Sequence, residues 1–240
     1  MTYLDIVKQK LDEVNNSQQE NMLSAAKFAA ETIKNDGLIY IFGCGHSHLL
    51  AEDCFYRAGG LANVYPIFDE KLMLHESASY SSVLEKDEKS VDGVLDKYNI
   101  TSSDVLFVIS TSGKNGSPVQ MAIDGKKRGV KVVGIGSSAY FNDAPKHSSG
   151  KLLKDVVDVF IDNCVPHGDA VCDVGIDGVK SAPISTPVTS FIMQNVLVEG
   201  ERLAVKMGAK PAVFMSGNVD GGAEYNKALI EKYKKRVDCL

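Results

Sequence analysis

Five short apolar runs recur along the chain: "LIYIF" (38–42), "NVYPIF" (63–68), "VLFVI" (105–109), "VKVVGI" (130–135) and "VVDVFI" (156–161). No other feature restricts the fold as strongly. Continuous apolar runs suit strands buried on both faces, the condition of a central parallel sheet. Helical patterns over about 47–58, 88–98 and 117–128 separate the runs, and a long one follows over about 187–208. Such alternation requires right-handed crossovers, with helices on both faces of an open sheet. The expected class is α/β. Pro66 has no N–H for a ladder, so the 63–68 run belongs at an edge.

Two helices are expected before the first strand. Leu4, Val7, Leu11 and Val14 form one apolar stripe at 3-4-3 spacing, able to pack on the core or on a second copy. A second helix, about 17–35, turns Met22, Ala25, Ala26, Ala29 and Ile33 inward and ends at Asp36-Gly37. Beyond residue 210 a Gly-rich loop leads into a basic helix, which reads as an appendage on the same domain. The expected organisation is N-terminal helices over 1–36, the sheet domain over 37–210 and the appended loop and helix over 211–240.

Net charge is -5, which argues against a nucleic-acid footprint. No apolar run approaches the ~20 residues of a membrane span, and the first residues carry no apolar signal core. Five cysteines, an odd number with no disulfide spacing, point to a reducing cytoplasm. Cys164, His167 and Cys172 lie close in sequence but lack the paired Cys-x-x-Cys spacing of a structural zinc site, so no metal is expected.

Two strands empty into loops of the same kind. The first ends in "FGCGHSHLLAED", where Gly43 and Gly45 bracket a turn and Ser47 opens a helix. The third ends in "STSGKNGSP", with Ser110, Thr111, Ser112 and Gly113 before a helix that starts at Ser117-Pro118. Glycine lets backbone N–H groups approach a ligand, hydroxyls each donate one hydrogen bond, and the helix adds the positive end of its dipole. Together they make a phosphate cradle with little formal positive charge. In an open parallel sheet such loops face each other across the ligand crevice. The chain lacks the third glycine of a dinucleotide fingerprint and has no nucleoside-triphosphate P-loop, so no cofactor is expected.

"IYIFGCGHS…AED" together with "VLFVISTSGKNGSPVQMAIDGKKRGVKVVGIGS" resembles the sugar isomerase (SIS) domain over about residues 20–205. "FYRAGGLANVYPI" and the C-terminal tail are similar to a bacterial phosphosugar-binding branch of that family, which is related to phosphoheptose isomerase and N-acetylmuramic acid 6-phosphate etherase. The resemblance implies a five-stranded, flavodoxin-like parallel sheet in a three-layer sandwich, a sugar-phosphate ligand, and a homodimer or dimer of dimers with sites at the subunit interface. It puts Ser47 on the first-loop serine and Ser110 and Ser112 on the second-loop serines. Asn115 falls where relatives carry another hydroxyl, for which Ser117 can substitute. Phosphoheptose isomerases carry a catalytic glutamate after the first loop, and the matching residue here is Arg57, which cannot act as that base.

Isomerisation or ether elimination needs a base at the carbon chain. Glu76, beside His75, follows the second strand. His167 and Asp169 follow the last strand, and His46 and His48 lie inside the first loop. Glu76, His167 and His46 are the catalytic candidates. Gly45, Ser47, Ser110, Thr111, Ser112, Gly113, Asn115 and Ser117 are the phosphate and substrate candidates, and Lys114 can reach the phosphate or stay in solvent. The expected activity is a sugar-phosphate isomerase or eliminating lyase. The alternative is a sugar-phosphate sensor without turnover.

Overall fold

A computed structural model describes residues 1–240. The five apolar runs form β1 (Ile39–Gly43), β2 (Val64–Ile67), β3 (Val105–Ile109), β4 (Lys131–Gly136) and β5 (Val159–Asp162). All pair in parallel in the order β2-β1-β3-β4-β5. β2, which carries Pro66, lies at an edge, as its missing N–H requires. Ile39 of β1 faces Val64 on one side and Val105 on the other. The connections therefore reverse direction between β1 and β3, where an open α/β sheet leaves its crevice.

Side chains alternate across this sheet with the strand period of two. Ile39, Ile41, Val105, Phe107, Val133 and Ile135 share one core with residues of α1 (Tyr3–Ser17), α2 (Gln19–Lys34), α3 (Leu49–Cys54) and α6 (Ser185–Lys206). Leu38, Tyr40, Phe42, Leu106 and Val132 face the other core, under α5 (Gly116–Lys127) and α7 (Gly222–Tyr233). This is the three-layer α/β sandwich expected from the alternation.

In α1 the stripe is largely spent within the chain. Val14 is fully buried, Val7 and Leu11 lie half-buried on the same core, and Leu4 remains 59% exposed. The tail is tied down at both ends. Phe214 donates its N–H to the Gly60 carbonyl at 2.9 Å, and Arg236 donates to the Asp36 carbonyl at 2.6 Å.

Three elements differ from the sequence expectation. Residues 88–98 form two short 3-10 turns, Glu88–Val91 and Val94–Tyr98, instead of one helix. A helix that the pattern did not reveal, α4 (Leu74–Leu84), precedes them; its serine-rich sequence has almost no amphipathic signal. A hairpin, β6 (Ala170–Ile176) and β7 (Val179–Pro183), stands apart from the main sheet. Its Asp177-Gly178 turn is a strong hairpin signal that follows too soon after β5 to fit a simple alternation.

Candidate functional site

After β1 the chain turns through Cys44 into a 3-10 turn, Gly45–His48, and then α3. Ser47 folds back so closely on the strand end that a Cβ on Gly43 would lie 2.5 Å from its carbonyl carbon. Gly45 takes φ +55°, a left-handed angle that a side chain would oppose. Burial pushes the Cys44 thiol well above its ordinary range, and the charges of Glu85 and Asp69 add to the effect. The buried His48 ring hydrogen-bonds through Nδ1 to the Gly45 carbonyl, its Nε2 facing Glu52 at 3.4 Å, so it braces this turn. His46 is exposed at the mouth.

The loop after β3 is fixed by its backbone. Ser110 donates its N–H to the Ile135 carbonyl, and Ser137 donates to Thr111, both within 2.9 Å. Ser110 Oγ accepts from the Gly113 N–H at 3.2 Å, which leaves its hydroxyl proton free for a ligand. Gly113 needs φ +57° to close that turn. Lys114 turns aside to pair with Asp143, which also lies 3.3 Å from His167 Nε2. Lys114 and His167 together hold the Asp143 carboxyl below its ordinary range.

A third wall comes from the start of α6. Asp169, in a left-handed conformation, accepts from the N–H groups of Ile184 and Ser185 and from the Ser185 hydroxyl. It caps that helix end and aims Ser185, Thr186 and Thr189 at the space between the two loops. A fourth wall is the inner side of α4, with Leu74, Ser82 and Glu85 just beyond its end. The cleft so enclosed has a volume of about 220 Å³ and lies over the carboxyl ends of β1 and β3.

Among the candidates from sequence, Gly45, His46, Ser47, Ser110, Thr111 and Ser112 all line this cleft. Gly113 lies behind it, bonded to Ser110 and Leu153. Asn115 donates to Glu85 Oε1 at 2.7 Å, and Ser117 is wholly buried against the segment after α4. Glu76 opens α4 and lines a different depression with Glu70, Lys71 and Tyr80. His167 stacks on Tyr140 at 4.3 Å and borders an open groove of about 660 Å³ under the β6–β7 hairpin. Cys164 Sγ lies 3.8 Å from Ser17 Oγ, whereas His167 Nε2 lies 3.3 Å from Asp143. Arg57 pairs with Asp53 and lines a hollow against the C-terminal segment.

Glu85 was not legible from sequence because α4 was not. Ser185, Thr186 and Thr189 did carry a signal. "STPVTS" repeats the hydroxyl-then-proline helix start of the second loop.

The model of the SIS domain family matches residues 2–137. The UPF0309 protein of Thermoanaerobacter pseudethanolicus is 40% identical over 100% of this chain and 99% of its own. That of Geobacillus thermodenitrificans is 43% identical over 99% of this chain and 96% of its own. Among solved structures, phosphoheptose isomerase from Neisseria gonorrhoeae superposes with a TM-score of 0.53 at 16% identity, covering 86% of this chain and 95% of that one. That likeness is one of fold.

Proposed function

The chain belongs to the SIS domain family, and we propose that it binds a sugar phosphate in this cleft and acts on it as an isomerase or eliminating lyase. One observation carries the reading: a hydroxyl-and-amide cradle shares its cleft with a carboxylate that has an oxygen to spare. The phosphate sits on the N–H groups at the start of the Gly45–His48 turn and on the hydroxyls of Ser47, Ser110, Thr111 and Ser112. Hydrogen bonds to a charged group are each worth roughly 1.5–3 kcal/mol, so several suffice without a lysine or arginine.

Two carboxylates line the cleft, Glu85 and Asp169. Both Asp169 oxygens are committed to the start of α6. Glu85 Oε1 accepts from Asn115 at 2.7 Å, while Oε2 has no hydrogen-bond partner and lies 4.0 Å from where a Cβ on Gly45 would be. Glu85 is therefore the base. In isomerisation it takes a proton from the carbon beside the carbonyl and returns it to the neighbouring carbon. In elimination it takes that proton as the ether oxygen leaves. His46, at the mouth, supplies the proton for ring opening or for the leaving oxygen.

Within the same proposal the protein works in the cytoplasm as a homodimer or dimer of dimers. No helix is long and apolar enough to cross a membrane. Light scattering at micromolar concentration tests the oligomer, and a monomer would remove it.

The function is tested by a thermal-shift screen of hexose, hexosamine, heptose and lactyl-amino-sugar phosphates, followed by NMR detection of turnover. Stabilisation by a sugar phosphate with conversion to an isomer or unsaturated product supports the reading. Binding without conversion replaces it with the sensor. No stabilisation by any phosphate ester overturns it.

A further inference from the structure

We infer that Asn115 is a positioning residue that aims Glu85, and not a phosphate ligand, so that the phosphate loop itself holds the base. This rests on the assignment of Glu85 above. Asn115 stands at the N-cap of α5, where an asparagine oxygen ordinarily accepts from the first turn. Here its side chain makes no capping bond. It forgoes the stabilisation that a capping bond would give the helix. Its amide nitrogen donates instead to Glu85 Oε1 at 2.7 Å, across thirty positions of sequence.

The same turn holds Glu85 a second time, through the Ser117 N–H and the Glu85 carbonyl at 3.0 Å. Main chain and side chain of Glu85 are thus both fixed from the end of the phosphate loop. An amide neither gains nor loses a proton near neutrality, so its action on the carboxylate is one of orientation. With Oε1 engaged, Oε2 faces the first loop, the side on which Ser47 and the Gly45 turn hold their part of the ligand. The other titratable groups lining the cleft do not compete for that amide. Cys44 is a buried thiol, Asp169 is bound to α6 and His46 is exposed at the mouth.

Three measurements on the full chain test this. In the ligand-free protein, the Asn115 side-chain amide protons should shift in the 15N spectrum when Glu85 is changed by Glu85→Gln. Inorganic phosphate should bind Asn115→Ala within about twofold of the parent, whereas a phosphate ligand would lose roughly tenfold or more. With the sugar phosphate found by screening, Asn115→Ala should lower kcat about 10–100-fold at nearly constant KM, and should add nothing to Glu85→Gln in a double-mutant cycle. Asn115→Ser, which is uncharged and a good helix N-cap but too short to reach Glu85, should give the same pattern if the alanine variant folds poorly. A phosphate affinity that falls tenfold, an unmoved amide signal or strictly additive kcat losses would each overturn the positioning role. Full turnover by Glu85→Gln alone would instead overturn the base assignment, while phosphate binding to Asn115→Ala would still decide whether Asn115 is a ligand.

Discussion

The hydroxyls of Ser117 and Ser90 meet at 2.6 Å in the interior, joining the start of α5 to the segment that follows α4. Ser117 Oγ also lies 2.8 Å from the Leu84 carbonyl and 3.1 Å from that of Asp87. A hydroxyl has one proton, so Ser117 gives its own to a carbonyl and accepts from Ser90. Ser117→Ala leaves the buried Ser90 hydroxyl without its partner and should cost about 1–3 kcal/mol in urea unfolding. Phosphate affinity should stay within twofold. Weaker phosphate binding at unchanged stability would return Ser117 to the cradle.

Ser110 and Ser112 line the cleft, and the loop that carries them is held mainly by backbone bonds, with a single side-chain bond from the Gly113 N–H to Ser110 Oγ. Ser110→Ala with Ser112→Ala should therefore weaken sugar-phosphate binding by roughly 1–3 kcal/mol per lost hydrogen bond while the protein still folds. Calorimetric titration checks the affinity and circular dichroism the fold. Parent-like affinity in the double variant would move the phosphate elsewhere.

Gly43 is a test of geometry rather than chemistry. An added methyl would press on the Ser47 carbonyl carbon at 2.5 Å, and that contact is backbone, which cannot swing away. Gly43→Ala should displace the Gly45–His48 turn and reduce phosphate affinity by about tenfold or more, since several donors move at once. A phosphate affinity equal to the parent's would mean that this turn does not touch the ligand.

Asp158 gives a pH prediction away from the site. Burial opposes its ionisation most strongly. Lys126, the Val132 N–H and Lys131 together outweigh burial and hold the carboxyl below its ordinary range. A depressed folded value means that the unfolded chain binds more protons as pH falls. The stabilisation is complete above the unfolded value near 3.9 and disappears as pH drops through the folded one. Asp158→Asn should cost about 1 kcal/mol at pH 7, and parent and variant should converge below about pH 4. A gap that persists at pH 2 would show that the charge is not its source.

The sheet was legible because β1 and β3 are unbroken apolar runs and the other three strands are mostly apolar. Leu106 and Phe107 face opposite cores, yet both are buried, and that condition is visible residue by residue. That the two hydroxyl-and-glycine loops share one cleft was legible because both follow neighbouring strands of a parallel sheet. Glu85 was hidden by different physics. α4 is a helix of "LHESASYSSVL", with Ser77 at non-helical angles and little buried surface apart from Ser81. It exists through its neighbours and not through its own pattern, so nothing local announced that its end returns to the cleft. Asn115 was read as a cradle residue for the same reason, because its partner lies thirty positions upstream.

Glu76 and Glu85 offer the most direct discrimination. Glu76 was the acid expected from sequence to stand nearest the crevice mouth, but it opens α4 while Glu85 lies just past its other end. Glu76 is half exposed beside His75 and shares its depression with Glu70 and Lys71. Glu85 shares the cleft with Ser47, Ser110, Thr111 and Ser112. A base must come within about 3 Å of the proton it removes, or reach it through one water. Glu85 lines the same 220 Å³ as the proposed phosphate donors, so a sugar phosphate bound as proposed would bring its carbon chain to that carboxylate. Glu85→Gln keeps the shape and the Asn115 contact but removes the basicity. It should cut turnover by ~10²–10⁴-fold with phosphate affinity nearly unchanged, whereas Glu76→Gln should remain within a few-fold of the parent. The reverse order of effects would mean that the base enters from the outer side of α4, a route open to a second subunit seated over the cleft.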